Sequence, residues 1–238
     1  MPRLLQQLAR QFTLMVSLPQ NTPEMAEAAI QGGAHAIKVH LNCHHFASDT
    51  RFGPWKDERP ALLEILQLAG RVPVGIVTGE EVQPGPEELG EIQEAGFDFW
   101  DLFARYTPPA YLRIPRLGRM VAIDSSWTPE QVVAMARLGV HVIESSIIPR
   151  EHYRSPLNLA DLAAYAHLAG VCPIPILVPT QKAIRPQEVD LLAQADANGV
   201  TIGAVVTGTR VEGVREATLR FREAVDKVVK PSPSGVKF

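Results

Sequence analysis

The 238-residue sequence predicts a single (β/α)8 TIM barrel preceded by a short helix. Three observations predict it. Short apolar runs alternate with amphipathic helical stretches, glycine stands just ahead of many of the apolar runs, and eight such units fill the chain. Alternating strand–helix units imply a parallel sheet, and eight of them suggest closure. An open doubly wound sheet would carry a glycine-rich dinucleotide fingerprint after its first strand, and Ser17-Leu18-Pro19-Gln20 is not one.

The N-terminus places Leu4, Leu5, Leu8 and Phe12 at helical spacing, with Arg3 and Arg10 among them. It lacks the unbroken apolar stretch and cleavage site of a signal peptide, so a helix plugging the barrel floor is expected. Phe12–Leu18 reads as the first strand. Asn21-Thr22-Pro23-Glu24 then starts a helix with a capping residue, proline at the first helical position and acid in the first turn. Gly32-Gly33 ends it, and Ala34–Leu41 is the second strand. The remaining strands are expected at 72–78, 97–103, 120–124, 140–147, 174–178 and 200–207. Their helices are expected at 59–69, 86–95, 129–138, 159–169, 186–197 and 214–229. The barrel is expected over 1–230, with a polar tail over 231–238.

Composition narrows the function classes. Hydrophobic residues make up 46% and charged residues 21%, and the formal net charge is −3, so no basic field invites nucleic acid. No run is long enough to span a bilayer, and Cys43 and Cys172 lie too far apart in sequence to suggest a disulfide framework. A cytoplasmic protein is expected, with self-association left open.

Along a barrel strand, alternate residues face the helices and the interior. In the second strand Ile37, Val39 and Leu41 form the helix-facing set, so Lys38, His40 and Asn42 point inward. A buried lysine needs an acidic partner or an anionic ligand. Asp124 at the end of the fifth strand, Glu144 in the sixth and Asp101 in the fourth are the available acids. The facing of Glu144 stays open, because both alternating sets of its strand are partly apolar. Lys38, Asp124, Glu144 and His40 are the candidate catalytic groups. Ser17, Asn42, Arg51 and Asp101 are the candidate substrate contacts, Arg51 lying on a long Asn42–Glu58 connection of the kind that forms lids. Thr207-Gly208-Thr209, at a turn after the last strand, and Lys182 are the candidate phosphate contacts. His40, Cys43, His44, His45 and Asp49 could be read as a metal cluster, but adjacent histidines rarely both ligate; no metal and no cofactor is expected.

With those residues in place, the chain resembles the ribulose-phosphate-binding barrel superfamily, and within it the N-acetylmannosamine-6-phosphate 2-epimerases. Met15-Val16-Ser17, Met25-Ala26 through Gln31-Gly32-Gly33-Ala34 with Ile37-Lys38, Val72-Pro73-Val74-Gly75-Ile76, and Ala204-Val205-Val206-Thr207-Gly208-Thr209 with Phe221 carry the resemblance. It implies a barrel enzyme on a phosphorylated ligand. The catalytic positions depart from the family. Thr78 stands where the family has lysine, Lys38 and Lys182 where it has arginine, Phe103 where it has aspartate, and its seventh-strand glutamate falls near Thr180. The expected function is therefore an isomerase, epimerase or carbon–carbon lyase acting on a small sugar-phosphate-like metabolite. A non-catalytic phosphate-binding or assembly barrel and a metal-dependent lyase are the alternatives.

Overall fold

A computed structural model describes residues 1–228. The chain forms α1 (Arg3–Arg10), β1 (Thr13–Ser17), α2 (Pro23–Gln31), β2 (Ala36–His40), the short pair β3 (His44–His45) and β4 (Thr50–Arg51), α3 (Trp55–Ala69), β5 (Val74–Val77), α4 (Pro86–Ala95), β6 (Phe99–Phe103), β7 (Gly118–Ile123), α5 (Pro129–Arg137), β8 (Val142–Ser145), α6 (Leu159–Val171), β9 (Ile176–Pro179), α7 (Val189–Gln194), β10 (Gly199–Ile202), α8 (Ala204–Thr207) and α9 (Val211–Val225). Eight of the strands pair in parallel as a closed barrel in the order β1-β10-β9-β8-β7-β6-β5-β2. The expected architecture, with its leading helix, is the observed one. The tail expected over 231–238 lies outside the described residues.

Helix starts follow the local chemistry. Thr22 Oγ1 accepts from the Met25 N–H at 3.3 Å, with Pro23 at the first helical position. Reciprocal capping boxes join Thr128 to Gln131 and Asn158 to Asp161. Several boundaries differ from expectation, and three of the differences bear on the upper end of the barrel and its connections. Helix α3 begins at Trp55, so Trp55 leaves the lid and gives its indole N–H to Glu91 at 2.8 Å. The expected helix over 186–197 is a 3-10 turn at Pro186–Glu188 followed by the short α7. The last strand stops at Ile202, and Ala204–Thr207, whose β-branched run reads as strand, is one turn of helix.

Helix-facing residues of the strands, among them Leu14, Ile37, Ile76, Trp100, Ile143 and Ile202, join the helices in one large apolar cluster. A second, smaller cluster fills the barrel interior: Met15, Ala36, Phe99, Met120, Val142 and Leu177, closed from below by Leu4 and Leu8 of α1. Asp98 anchors that plug, accepting from the backbone N–H groups of Arg3 and Leu4, each at 2.8 Å. Gly75 and Gly199 leave room in this interior. A Cβ on Gly75 would lie 2.0 Å from the Phe99 ring, and one on Gly199 would lie 2.3 Å from the Thr13 carbonyl oxygen.

Candidate functional site

The strand registers sort the inward side chains into layers. Following the pairings once round the ring brings residue 15 back level with residue 7, a stagger of eight residues. With eight strands and that stagger, each layer takes its four members from alternate strands. The lowest layer is Ala36, Phe99, Val142 and Gly199, and the next is Met15, Gly75, Met120 and Leu177. Both are apolar. The third layer, two residues further along the strands of the first, is Lys38, Asp101, Glu144 and Thr201. All four of its members are polar. Above them, Ser17, Val77, Ala122 and Pro179, then His40, Phe103, Ser146 and Gly203, line a cavity of about 340 Å³ at the C-terminal ends of the strands.

Lys38 Nζ donates to Asp101 Oδ2 at 2.7 Å and to both oxygens of Glu144, at 2.6 and 2.8 Å. All three residues are buried yet line the cavity floor. Burial pulls the Lys38 ammonium down, but Asp101 and Glu144 more than reverse it and hold the amine protonated above the ordinary lysine range. One cation against two carboxylates leaves a charge of −1 in a desolvated place, and that favours retaining a proton on Glu144. Burial first, and the Asp101 charge second, push the Glu144 carboxyl up to about 7, against the opposing pull of Lys38. Glu144 is thus poised to give or take a proton near neutral pH.

His40 lies higher in the mouth. Its Nε2 meets Ser17 Oγ at 3.3 Å, its ring stacks on Phe52 at 4.7 Å, and its Nδ1 has no partner among the described residues. Burial, then His45 and Lys38, press its pKa well below the histidine range, so the ring is neutral. His45 is held down to about 4 by burial, with Lys38 and His44 adding to it.

The 42–54 connection carries the antiparallel β3–β4 hairpin, and its tip crosses the mouth. Strands β2 and β8 lie four places apart in either direction round the ring, on opposite walls. From the β2 side, Phe46 packs edge-on against Tyr153 at 5.3 Å and carries the Arg150 guanidinium over its ring at 4.8 Å. Arg154 Nη2 donates to the Ala47 carbonyl at 2.7 Å. The same two walls are joined twice, by the Lys38–Glu144 pair below and by this clasp above.

The structure gathers some of the expected site residues and separates others. Lys38, His40, Ser17, Asp101, Glu144 and Asp124 line the cavity. Asp124 sits at its rim, ion-paired with Arg105, and its carboxyl is held below the usual range first by the Ser126 hydroxyl. Four expectations on the ligand contacts are corrected. Asn42 turns out of the strand at φ 46° and gives its amide to the Thr78 carbonyl at 3.0 Å. Arg51 is exposed on β4, away from the cavity. Lys182 is buried in a pair with Asp161 at 3.1 Å and bonds Ser155 at 2.9 Å. Thr207, Gly208 and Thr209 lie at the far end of α8, where the N–H groups of Thr207 and Gly208 are spent on Gly203 and Ala204. It is the beginning of α8 that faces the cavity. Gly203 donates its N–H to Thr180 Oγ1 at 3.0 Å, and the N–H groups of Ala204 and Val205 have no acceptor among the described residues.

Sequence reasoning missed Thr201, Thr180 and Gln181. The signal for Thr201 was present: Val200 and Ile202 are the helix-facing pair of β10, so the residue between them points inward. No group of three or more His, Cys, Asp or Glu side chains gathers as candidate metal ligands among the described residues. His44 instead bonds Asp49 at 2.7 Å and His45 bonds Ser48 at 2.6 Å. Burial raises the Cys43 thiol, which also lines the cavity, to about 12. No helix among the described residues is long and apolar enough to cross a membrane.

Neither a family model nor a curated protein sequence matches the chain. Solved structures do. Thiamine phosphate pyrophosphorylase from Pyrococcus furiosus superposes with a TM-score of 0.67 at 15% identity, over 92% of this chain and 97% of that one. Tryptophan synthase from Mycobacterium tuberculosis gives 0.68 at 17%, over 93% and 96%. The (S)-3-O-geranylgeranylglyceryl phosphate synthase from Thermoplasma acidophilum, in complex with sn-glycerol-1-phosphate, gives 0.64 at 15%, over 94% and 97%. At these identities the likeness is one of fold: the chain shares the whole (β/α)8 barrel of enzymes such as these.

Proposed function

We propose that this barrel is an enzyme exchanging a proton beside the carbonyl of a small phosphorylated, sugar-phosphate-like metabolite, as an isomerase or epimerase or as a carbon–carbon lyase. The observation that carries the reading is the Lys38–Asp101–Glu144 cluster on the floor of the mouth. A fixed ammonium stabilises the oxyanion that develops when a carbon next to a carbonyl loses its proton, and it does so best away from bulk water. A carboxyl poised near pH 7 carries the proton. Asp101 holds the ammonium in place from the adjoining wall, and neutral His40 offers an unpartnered nitrogen above the floor.

The phosphate would sit at the start of α8, against the Ala204 and Val205 N–H groups with Thr180 fixing the turn. Two fold neighbours support a phosphorylated ligand through what their own names state, one a thiamine phosphate enzyme and one holding sn-glycerol-1-phosphate. The epimerase resemblance supports the barrel and a phosphorylated ligand, while the reaction class rests on the cluster itself, since the ammonium here comes from Lys38 on the second strand of the barrel and Thr78 occupies the lysine position of that family.

Incubation with a panel of aldose and ketose phosphates in deuterium oxide, followed by proton NMR, tests the reading. Loss of one C–H signal with wild type, slowed at least ~100-fold by Glu144→Gln, is the expected result. Binding with no exchange across the panel would make the protein a phosphate-ligand-binding barrel without this chemistry.

A further inference from the structure

The third layer has a member that the chemistry above does not use. Lys38 and Glu144 face each other across the barrel, and Asp101 faces Thr201 on β10. Three of the four are tied together by hydrogen bonds. Thr201 is 2% exposed, its side chain lines the cavity, and its Oγ1 has no partner among the described residues. Opposite it, Asp101 Oδ1 is also unpartnered. Buried hydroxyls and carboxylate oxygens are seldom left without a hydrogen bond, because each unmet group costs on the order of 1–3 kcal/mol. Of these two orphaned atoms on opposite walls of one floor, the Thr201 hydroxyl can donate to a ligand hydroxyl or carbonyl oxygen, while the Asp101 oxygen can accept only from a ligand hydroxyl.

We propose that Thr201 is a specificity-determining residue whose hydroxyl bonds an oxygen of the ligand lying over the Lys38–Asp101–Glu144 cluster. The inference rests on the phosphorylated-ligand reading and adds a ruler to it. Thr201 lies on β10 and Gly203 is the extended residue just past its end, the next inward position, so they stand about 7 Å apart at the rise of extended chain. A phosphate at the start of α8 therefore places Thr201 against an oxygen two or three carbons away along the ligand. The ligand class is a phosphate monoester with a free hydroxyl or carbonyl at that distance. An alkyl phosphate of equal length leaves Thr201 and Asp101 unmet, and sites built around such a hydrogen bond reject the analogue lacking it strongly.

Titration calorimetry with inorganic phosphate, glycerol 3-phosphate and propyl phosphate, on wild type, Thr201→Val and Thr201→Ser, tests the proposal. Wild type is expected to bind glycerol 3-phosphate at least ~10-fold more tightly than propyl phosphate, which is one good hydrogen bond in a buried site. Thr201→Val, which keeps shape and strand preference, should bring the two esters within ~3-fold of each other, while Thr201→Ser keeps most of the discrimination and inorganic phosphate binds all three proteins alike. The ligand-free melting temperature of Thr201→Val should equal or exceed that of wild type, because an orphaned hydroxyl is removed; a fall of several degrees would show a structural role and overturn the proposal. Equal binding of the two esters by wild type, or discrimination surviving in Thr201→Val, would also overturn it while leaving the phosphate reading intact. No binding of any of the three by wild type would remove both.

Discussion

The lower and upper halves of the barrel interior are built from the same strands and obey the same alternation, yet they hold opposite chemistry. Below, eight apolar positions in two layers close around Phe99 and the plug residues Leu4 and Leu8. Above, one further step along β2, β6, β8 and β10 gives Lys38, Asp101, Glu144 and Thr201. The lower half gains from removing apolar surface from water, while the upper half carries charged groups and orphaned polar atoms that face the cavity. A barrel can keep such an upper half because the lower half and the helix-facing cluster supply the folding energy.

The sharpest way to break this contrast is to remove its central cation. Lys38→Met leaves two buried carboxylates without a counter-charge, and urea unfolding at pH 8 should show a loss of about 4 kcal/mol. At pH 5 the loss should shrink, as Glu144 takes up a proton. Breaking the lower half comes next. Gly75→Ala forces a methyl group into the Phe99 ring, and the same measurement should fall by about 3 kcal/mol with little dependence on pH.

The third test is a difference in slope. Glu144 is raised from its unfolded value of 4.5 to about 7, so the folded state keeps a proton that the unfolded chain releases. Its contribution is fully present below about pH 4.5 and is lost as pH climbs to about 7. Wild type minus Glu144→Gln should therefore fall by up to ~3 kcal/mol across that window and stay flat above it. A difference that does not change with pH would show that the retained proton sits elsewhere.

These experiments separate what the sequence displayed from what only the register supplies. The alternation in 36–41 exposed Lys38 and His40 as inward without ambiguity, because Ile37, Val39 and Leu41 are uniformly apolar. Glu144 could not be placed that way: Val142 and Ile143 are apolar on both faces, one packing on Phe99 and the other on the helices. Its facing follows only from the pairing with β7 and β9. The end of the last strand was misplaced for a local reason. Val205-Val206-Thr207 has the composition of a strand, while tertiary packing bends the chain into α8 immediately after Gly203. Lys182 had the right charge for an anion site, and nothing in the linear sequence says that Asp161, twenty-one residues earlier, claims it.

The α1 plug makes the barrel a cul-de-sac. With Leu4 and Leu8 seated under Phe99 and tied down through Asp98, the polar floor is closed from below and opens into the cavity at the C-terminal ends of the strands. A molecule that enters from above must leave the same way, so two of them would exclude each other. A proton held on Glu144 would likewise be sealed from the bulk by any occupant of the mouth, and would reach solvent again only after that occupant left.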